Sequence, residues 1–174
     1  MDATPLSSPR LTLRPVRQDE LPQVLRLYQD TPAYFQLALG TAEVTAEDVA
    51  EWFAEARGDP RRHFWGLYLP PEQAMVGVAD FVVGYPTPRE VFLGLLLVAS
   101  PWQGKGLGAE AVRLLEAHFF RLPGIRQVRL GVLREDRRAR EFWRRLGYVL
   151  DRVQRDQRGR PLLVYRKPWA RGGA

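Results

Sequence analysis

Apolar and polar positions switch repeatedly between alternation and helical spacing along this chain. "RLTLRPV" (10–16) alternates apolar and basic residues and predicts a strand. "RQDELPQVLRLYQD" (17–30) sets Leu21, Val24, Leu25 and Tyr28 at helical spacing with its acids early, and predicts a helix. "TAEDVAEWFAEAR" (45–57) predicts another: Thr45 can cap it, Asp48 follows at capping-box spacing, and Val49, Trp52, Phe53 and Ala56 make an apolar stripe. Between them, 31–44 reads as loop or a further short helix. Then alternation and buried runs take over. "HFWGLYL" (63–69), "MVGVADFVV" (75–83) and "EVFLGLLLV" (90–98) predict three strands, with turn chemistry in "PPEQ" and "GYPTPR" between them. A helix follows to about Phe120, with Leu107, Ala111, Leu114 or Leu115, and His118 or Phe119 sharing a face. "RQVRLGVL" (126–133) predicts a strand. "RRAREFWRRLG" (137–147) predicts a helix that Gly147 can stop. "YVLDRVQ" (148–154) and "PLLVYRK" (161–167) predict two last strands joined by "RDQRGR".

The strands come in a run, so the fold class is α+β: a mixed, mostly antiparallel twisted sheet of about seven strands with about four helices on its faces. No repeat or low-complexity linker interrupts it, and 174 residues fit one domain, 1–174. The chain has no cysteine, which removes disulfides, thiolate metal sites and a cysteine nucleophile. Its two histidines, His63 and His118, lie far apart, so no histidine metal centre is expected. No G-x-S-x-G elbow appears. The N-terminus lacks a basic-then-apolar signal pattern, and the longest apolar run, "LGLLLVA", is too short to span a bilayer. A soluble, cytoplasmic protein without a membrane partner is expected. Net charge is +6; of 26 Lys and Arg residues only Lys105 and Lys167 are lysine, leaving 24 arginines. Base composition of the genome explains that bias as well as contact with phosphates or acidic surfaces does.

One stretch resists a purely structural reading. "PWQGKGLGAEAVRLLEAHFF" puts Gly104, Gly106 and Gly108 where a helix should start, although glycine costs about 1 kcal/mol against alanine in a helix. The first turn of a helix has unpaired N–H groups and partial positive charge, and glycines let an anion approach them. Gln103, Lys105 and the N–H groups of 104–109 thus make a donor set for a phosphate or pyrophosphate. A ligand-free glycine turn is the bland alternative. A P-loop is excluded, because G-x-x-x-x-G-K-[ST] is absent. Gly104, Gly106 and Ala109 satisfy G-x-G-x-x-A, but they follow three strands instead of opening a βαβ domain.

"LLLVASPWQGKGLGAEAVRLL" resembles the acetyl-CoA motif of the GCN5-related N-acetyltransferase (GNAT) superfamily, whose core [QR]-x-x-G-x-[GA] is met by Gln103, Gly106 and Gly108. "SSPRLTLRPVRQDEL" resembles its ribosomal-protein Nα-acetyltransferase (RimJ/RimL-like) branch. "REDRRAREFWRRLGY" resembles the later N-x-x-A-x-x-[FL]-Y-x-x-x-G-[FY] segment. The likeness covers nearly the whole chain, with an acetyl-CoA core at about 90–150.

The resemblance implies a GNAT fold with strands splayed around the cofactor, and an acetyl-CoA-dependent N-acetyltransferase without a metal. The backbone of Leu96, Leu97 and Val98 would pair with the pantetheine arm, and an N–H near Leu97 or Val98 would meet the developing oxyanion. The pyrophosphate would rest on Gln103, Gly104, Lys105, Gly106, Leu107, Gly108 and Ala109. Two cofactor-binding positions depart from the family: its asparagine is Asp136, and its acidic tyrosine is Trp143, an indole that can pack on the cofactor or fill core but cannot supply a proton as a phenol does. Positions where members carry a glutamate base are Gly131 and Phe92. The catalytic base is therefore open between Glu90 and Asp80, each of which also reads as a structural acid, and either can act through a water. The acceptor is a primary amine, a protein N-terminus or a small molecule; a site without a dedicated base favours α-amines. Arg134, Arg137, Arg138, Arg140, Arg144 and Arg145 read as a solvated helix face or as contacts to the ribose phosphate or an acidic protein; nucleic acid is not an expected partner. Apolar residues in the last strands could pair two chains. The competing reading is a CoA-binding sensor that has lost chemistry.

Overall fold

The computed structural model describes residues 4–71 and 73–169. The described residues fall into two compact units, 4–81 with 95–115 and 82–94 with 116–169. The chain forms β1 (Leu6–Ser7), β2 (Thr12–Pro15), α1 (Leu21–Gln29), α2 (Pro32–Leu39), α3 (Ala46–Gly58), β3 (Arg62–Leu69), β4 (Ala74–Val83) and β5 (Glu90–Val98). It continues with α4 (Leu107–Phe119), β6 (Gln127–Leu133), α5 (Arg137–Arg145), β7 (Val149–Arg155) and β8 (Pro161–Pro168). The strand order is β1-β2-β3-β4-β5-β6-β8-β7. Pairing is antiparallel for β1–β2, β2–β3, β6–β8 and β7–β8, and parallel for β5–β6.

The α+β class with a mostly antiparallel sheet is as the periodicity implies. Its inventory is larger by one strand and one helix. β1 is two residues long, too short to show a period. α2 settles the stretch 31–44 as partly helical: Pro32 opens it and Gly40 ends it in the left-handed region at φ 77°. The helix expected over 17–30 starts later, because Gln18–Glu20 forms a 3₁₀ turn before Leu21. α3 carries the capping box: Thr45 Oγ1 accepts from Asp48 N at 3.2 Å, and Asp48 Oδ2 accepts from Thr45 N at 2.8 Å. In α4 the buried line is Leu107, Ala111, Leu115 and Phe119.

In the first unit, Val24, Leu27 and Tyr28 of α1, Phe35 of α2, and Val49 and Phe53 of α3 pack in one core with Val78 of β4 and Leu97 of β5. Beside it sits a buried charge. Glu20 is 3% exposed and takes both terminal nitrogens of Arg14, at 2.7 and 2.9 Å, the Arg17 amide at 2.8 Å and the Tyr68 hydroxyl at 3.0 Å. The Arg14 guanidinium lies 3.8 Å over the Tyr68 ring. Burial pushes the Glu20 carboxyl up, but the hydrogen bonds from Arg14, Arg17 and Tyr68 and the Arg14 charge outweigh it and hold the group at about 2.

β4 and β5 approach closely in this unit: a β-carbon on Gly77 would stand 2.6 Å from the Leu97 carbonyl oxygen. Gly77→Ala must therefore push the end of β5 away from β4. The expected result is a loss of about 1–3 kcal/mol in chemical denaturation. An unchanged denaturation midpoint would show that the contact yields freely.

In the second unit, β8 pairs with β6 over Leu162–Pro168 and carries β7 as an edge strand whose seven residues are all exposed. Arg129 of β6 is 8% exposed, and its guanidinium joins Glu90 Oε2 at 2.7 Å and Asp151 Oδ2 at 2.6 Å. Asp151 stands where the β7 register shifts between Leu150 and Arg152, and it also pairs with Arg166 at 3.1 Å. Charges thus tie β5, β6, β7 and β8 in one register. No described helix is long and apolar enough to cross a membrane.

Candidate functional site

The glycine segment is built on the end of β5. Ala99 N donates to Val76 O at 2.9 Å, which holds the strand end to β4. One 3₁₀ turn, Ser100–Trp102, then redirects the chain. The Gln103 side chain donates back to Val98 O at 2.7 Å and closes the corner. Gly104 at φ 75° and Gly106 at φ 78° both sit in the left-handed region, which residues with a β-carbon avoid. The third glycine differs, since Gly108 already lies inside α4. Glu110 N donates to Gly106 O at 3.1 Å, the first bond of the helix. The amides of Leu107, Gly108 and Ala109 therefore point out of the helix start with no carbonyl of the preceding turn to take them. A β-carbon on Gly104 would meet nothing within 4 Å, so the approach on that side is open. The Lys105 ammonium rests 4.6 Å from the Trp102 ring centroid. An exposed turn, Gly104–Gly106, leading into a positive helix end, with a lysine in it, fits a diphosphate.

β5 itself changes character midway. Its parallel ladder with β6 pairs Glu90–Leu93 with Gln127–Leu130. Beyond it Gly94 is exposed, and Leu95, Leu96 and Val98 are half-buried in what is otherwise an interior strand. The Leu97 carbonyl faces β4, where it meets Gly77, and Ala99 bonds β4 as well. Successive peptide groups of a strand point to opposite edges. The main-chain groups of Leu96 and Val98 therefore face away from β4, and those of Leu97 face it.

Leu96, Leu97, Val98, Gln103, Gly104, Lys105, Gly106, Leu107, Gly108 and Ala109 belong to the first unit, as does Asp80; Glu90, Asp136 and Trp143 belong to the second. Asp80 is held by Arg62: Nε reaches its two oxygens at 3.0 and 3.1 Å and Nη2 donates at 2.6 Å. Glu90 is 6% exposed and paired with Arg129. Burial pushes its carboxyl up, yet the hydrogen bond from Arg129, with Gln127 and Thr87 and the Arg129 charge, holds it below the usual value. Such a carboxylate binds a proton weakly. Asp136 caps α5 by accepting from Ala139 N at 2.9 Å. Trp143 is 7% exposed and packs edge-on against Phe142 and Tyr148, with centroids at 4.9 and 5.0 Å. The Tyr148 hydroxyl donates to Glu116 at 2.9 Å, and Lys167 holds the same carboxylate at 2.8 Å. Burial and the Glu116 charge push the Tyr148 phenol upward.

A cluster at the glycine turn has no counterpart in the sequence motifs. Ser8 Oγ donates to Glu110, while Arg10 Nε donates to the other Glu110 oxygen at 2.7 Å. Arg10 Nη1 also donates to the Lys105 carbonyl at 3.0 Å. About 100 residues separate the partners, and neither "SSPR" nor "GAE" signals the other. Elsewhere, a cleft of about 280 Å³ in the second unit is lined by Arg134, Val153, Gln154, Arg155 and Pro161.

The model of a family described as an acetyltransferase (GNAT) domain matches residues 10–149. No curated protein matches the sequence. Among solved structures, an acetyltransferase from Thermus thermophilus is 31% identical, with a TM-score of 0.79, over 95% of this chain and 100% of that one. An acetyltransferase from Salmonella typhimurium that modifies the N-terminal serine of ribosomal protein L7/L12 has a TM-score of 0.83 at 15% identity, over 96% and 100% of the chains. Spermidine N-acetyltransferase from Vibrio cholerae, solved with CoA and spermine, has a TM-score of 0.74 at 16% identity, over 92% and 96%. The bared turn at the start of α4 and the family match over 10–149 agree: this chain belongs to the GNAT family of acetyltransferases.

Proposed function

We propose that the protein is an acetyl-CoA-dependent N-acetyltransferase in which a primary amine attacks the thioester carbonyl directly in a ternary complex: the C–N bond forms, the C–S bond breaks, and CoA leaves as a thiolate that takes up the proton the amine gives up. The observation that carries this is the left-handed turn at Gly104 and Gly106, which bares the amides opening α4. Acetyl-CoA supplies an activated acyl thioester. The amides of Leu107, Gly108 and Ala109, with Lys105, hold its diphosphate. The main-chain groups of Leu96, facing away from β4, pair with the pantetheine arm, and the Val98 N–H serves the oxyanion while the Val98 carbonyl stays with the Gln103 side chain. Catalysis then comes from positioning and from that donor.

With Asp80 and Glu90 both in ion pairs, the amine's own pKa sets the difficulty of the step. An α-amine near pKa 8 costs about 1 kcal/mol to deprotonate at pH 7, whereas a lysine-type amine near 10.4 costs about 4–5 kcal/mol. The α-amine of a peptide is thus the favoured acceptor. Peptides, polyamines, aminoglycosides and free amino acids offered with labelled acetyl-CoA test this. The expected result is peptide N-terminal acetylation, with kcat/KM rising with pH through about 8. Preference for polyamines or lysine side chains would overturn the α-amine assignment. CoA binding with no turnover on any amine would leave a CoA sensor in place of an enzyme.

A further inference from the structure

The Ser8–Arg10–Glu110 cluster poses an electrostatic problem for the site just proposed. Glu110 lies in the first turn of α4, where its charge suits the helix end but opposes any anion bound there. Its carboxylate is not left bare. Ser8 donates to one oxygen and the Arg10 guanidinium embraces the other. The same guanidinium donates to the Lys105 carbonyl and passes 3.5 Å from where a Gly106 β-carbon would stand. Ser8 is itself fixed, since its oxygen accepts from Leu11 N at 3.1 Å. The N-terminal segment thus delivers one cation to the edge of the glycine turn. Glu110 sits below its usual carboxyl range, with the Ser8 hydrogen bond the leading cause, so it is charged at neutral pH.

The geometry points to Arg10 as a positioning residue for CoA binding: it neutralises Glu110 so that the α4 helix start can accept a diphosphate. This rests on the glycine turn being the diphosphate site. Arg10 acts through Glu110 and the turn, and its loss is expected to weaken cofactor binding without slowing the chemical step.

Three variants separate charge neutralisation from simple bracing. Arg10→Gln removes the cation yet keeps an amide able to donate to the Lys105 carbonyl. Arg10→Lys keeps the charge and loses the fork. Arg10→Gln with Glu110→Gln removes both charges. CoA affinity is read by calorimetry, and KM for acetyl-CoA and kcat by turnover. Arg10→Gln is expected to raise Kd and KM about tenfold with kcat within about twofold, by the cost of a like charge beside the ligand. The lysine variant and the double variant are expected to return Kd to within about threefold of the wild type. An unchanged Arg10→Gln, or a double variant as weak as the single one, overturns the proposal. Should Arg10→Gln not fold, Glu110→Gln alone carries the test: its Kd must equal or fall below the wild-type value, and a rise of about tenfold overturns the role. A wild-type protein that binds no CoA refutes the diphosphate site itself, a different outcome from wild-type binding that is indifferent to Arg10.

Discussion

Gly106→Val is expected to abolish measurable CoA binding while leaving a folded protein. At φ 78° a β-carbon crowds the carbonyl that follows, which costs roughly 1–2 kcal/mol and more for a β-branched residue. Space is not the obstacle, because the nearest atom to that β-carbon, Arg10 Nη2, lies at an ordinary 3.5 Å. The backbone must leave the left-handed region instead, and the amides of Leu107–Ala109 then turn away from the ligand. A loss of about 100-fold or more in CoA affinity is expected by calorimetry. Gly104→Ala is the milder companion: its φ of 75° is equally strained for alanine, but the new methyl meets nothing within 4 Å. Circular dichroism and the melting midpoint show whether each variant is folded. A folded Gly106→Val protein with wild-type affinity would refute the diphosphate assignment.

Glu20→Ala is expected to destabilise the first unit strongly. It leaves the Arg14 guanidinium, the Arg17 amide and the Tyr68 hydroxyl without their common acceptor. Removing one partner of a buried pair costs about 3–5 kcal/mol, and for a chain of this size that lowers the melting midpoint by about 6–20 °C. The pH dependence has a definite sign. The folded carboxyl sits at about 2, below its ordinary 4.5, so its contribution is complete above pH 4.5 and is lost as pH falls toward 2. That shift corresponds to about 3 kcal/mol. Urea denaturation of wild type and Glu20→Gln should therefore differ most near neutrality and converge in acid. A difference that stays constant from about pH 7 to about pH 2.5 would place the effect elsewhere.

Much of the fold was legible because its elements are amphipathic on their own. The stripe Val49, Trp52, Phe53 and Ala56 and the box of Thr45 and Asp48 act within one helix, so composition at fixed spacing was enough. The runs that became β3, β4 and β5 were bounded by proline and glycine turns that act over a few residues. β1 escaped because two residues have no period. The glycine segment was legible for a related reason: a left-handed turn leaves glycine as its mark, and two of the three glycines carry that conformation.

Side-chain roles followed a different rule. Asp136 was read toward the cofactor and Trp143 toward the cofactor or the core; the structure adds a cap on Ala139 N for the first and an aromatic cluster with Phe142 and Tyr148 for the second. Glu20 read as an early helix acid and is instead a buried hub. Arg62 and Arg129 carried no signal, yet they occupy the two carboxylates open as bases, Asp80 and Glu90.

By itself, the sequence determined most of the elements, the fold class, the family and the place of the left-handed glycine turn, since each is written in residues a few positions apart and governed by local backbone sterics and periodicity. Only the tertiary structure decided which charges meet. Arg10 and Glu110 are 100 positions apart, Arg129 and Glu90 are 39 apart, and Arg14 reaches Glu20 over the ring of Tyr68, 48 positions beyond that acid. A charge has no periodicity; its partner is set by where the folded backbone brings a second long, flexible side chain, and that depends on the whole packed chain.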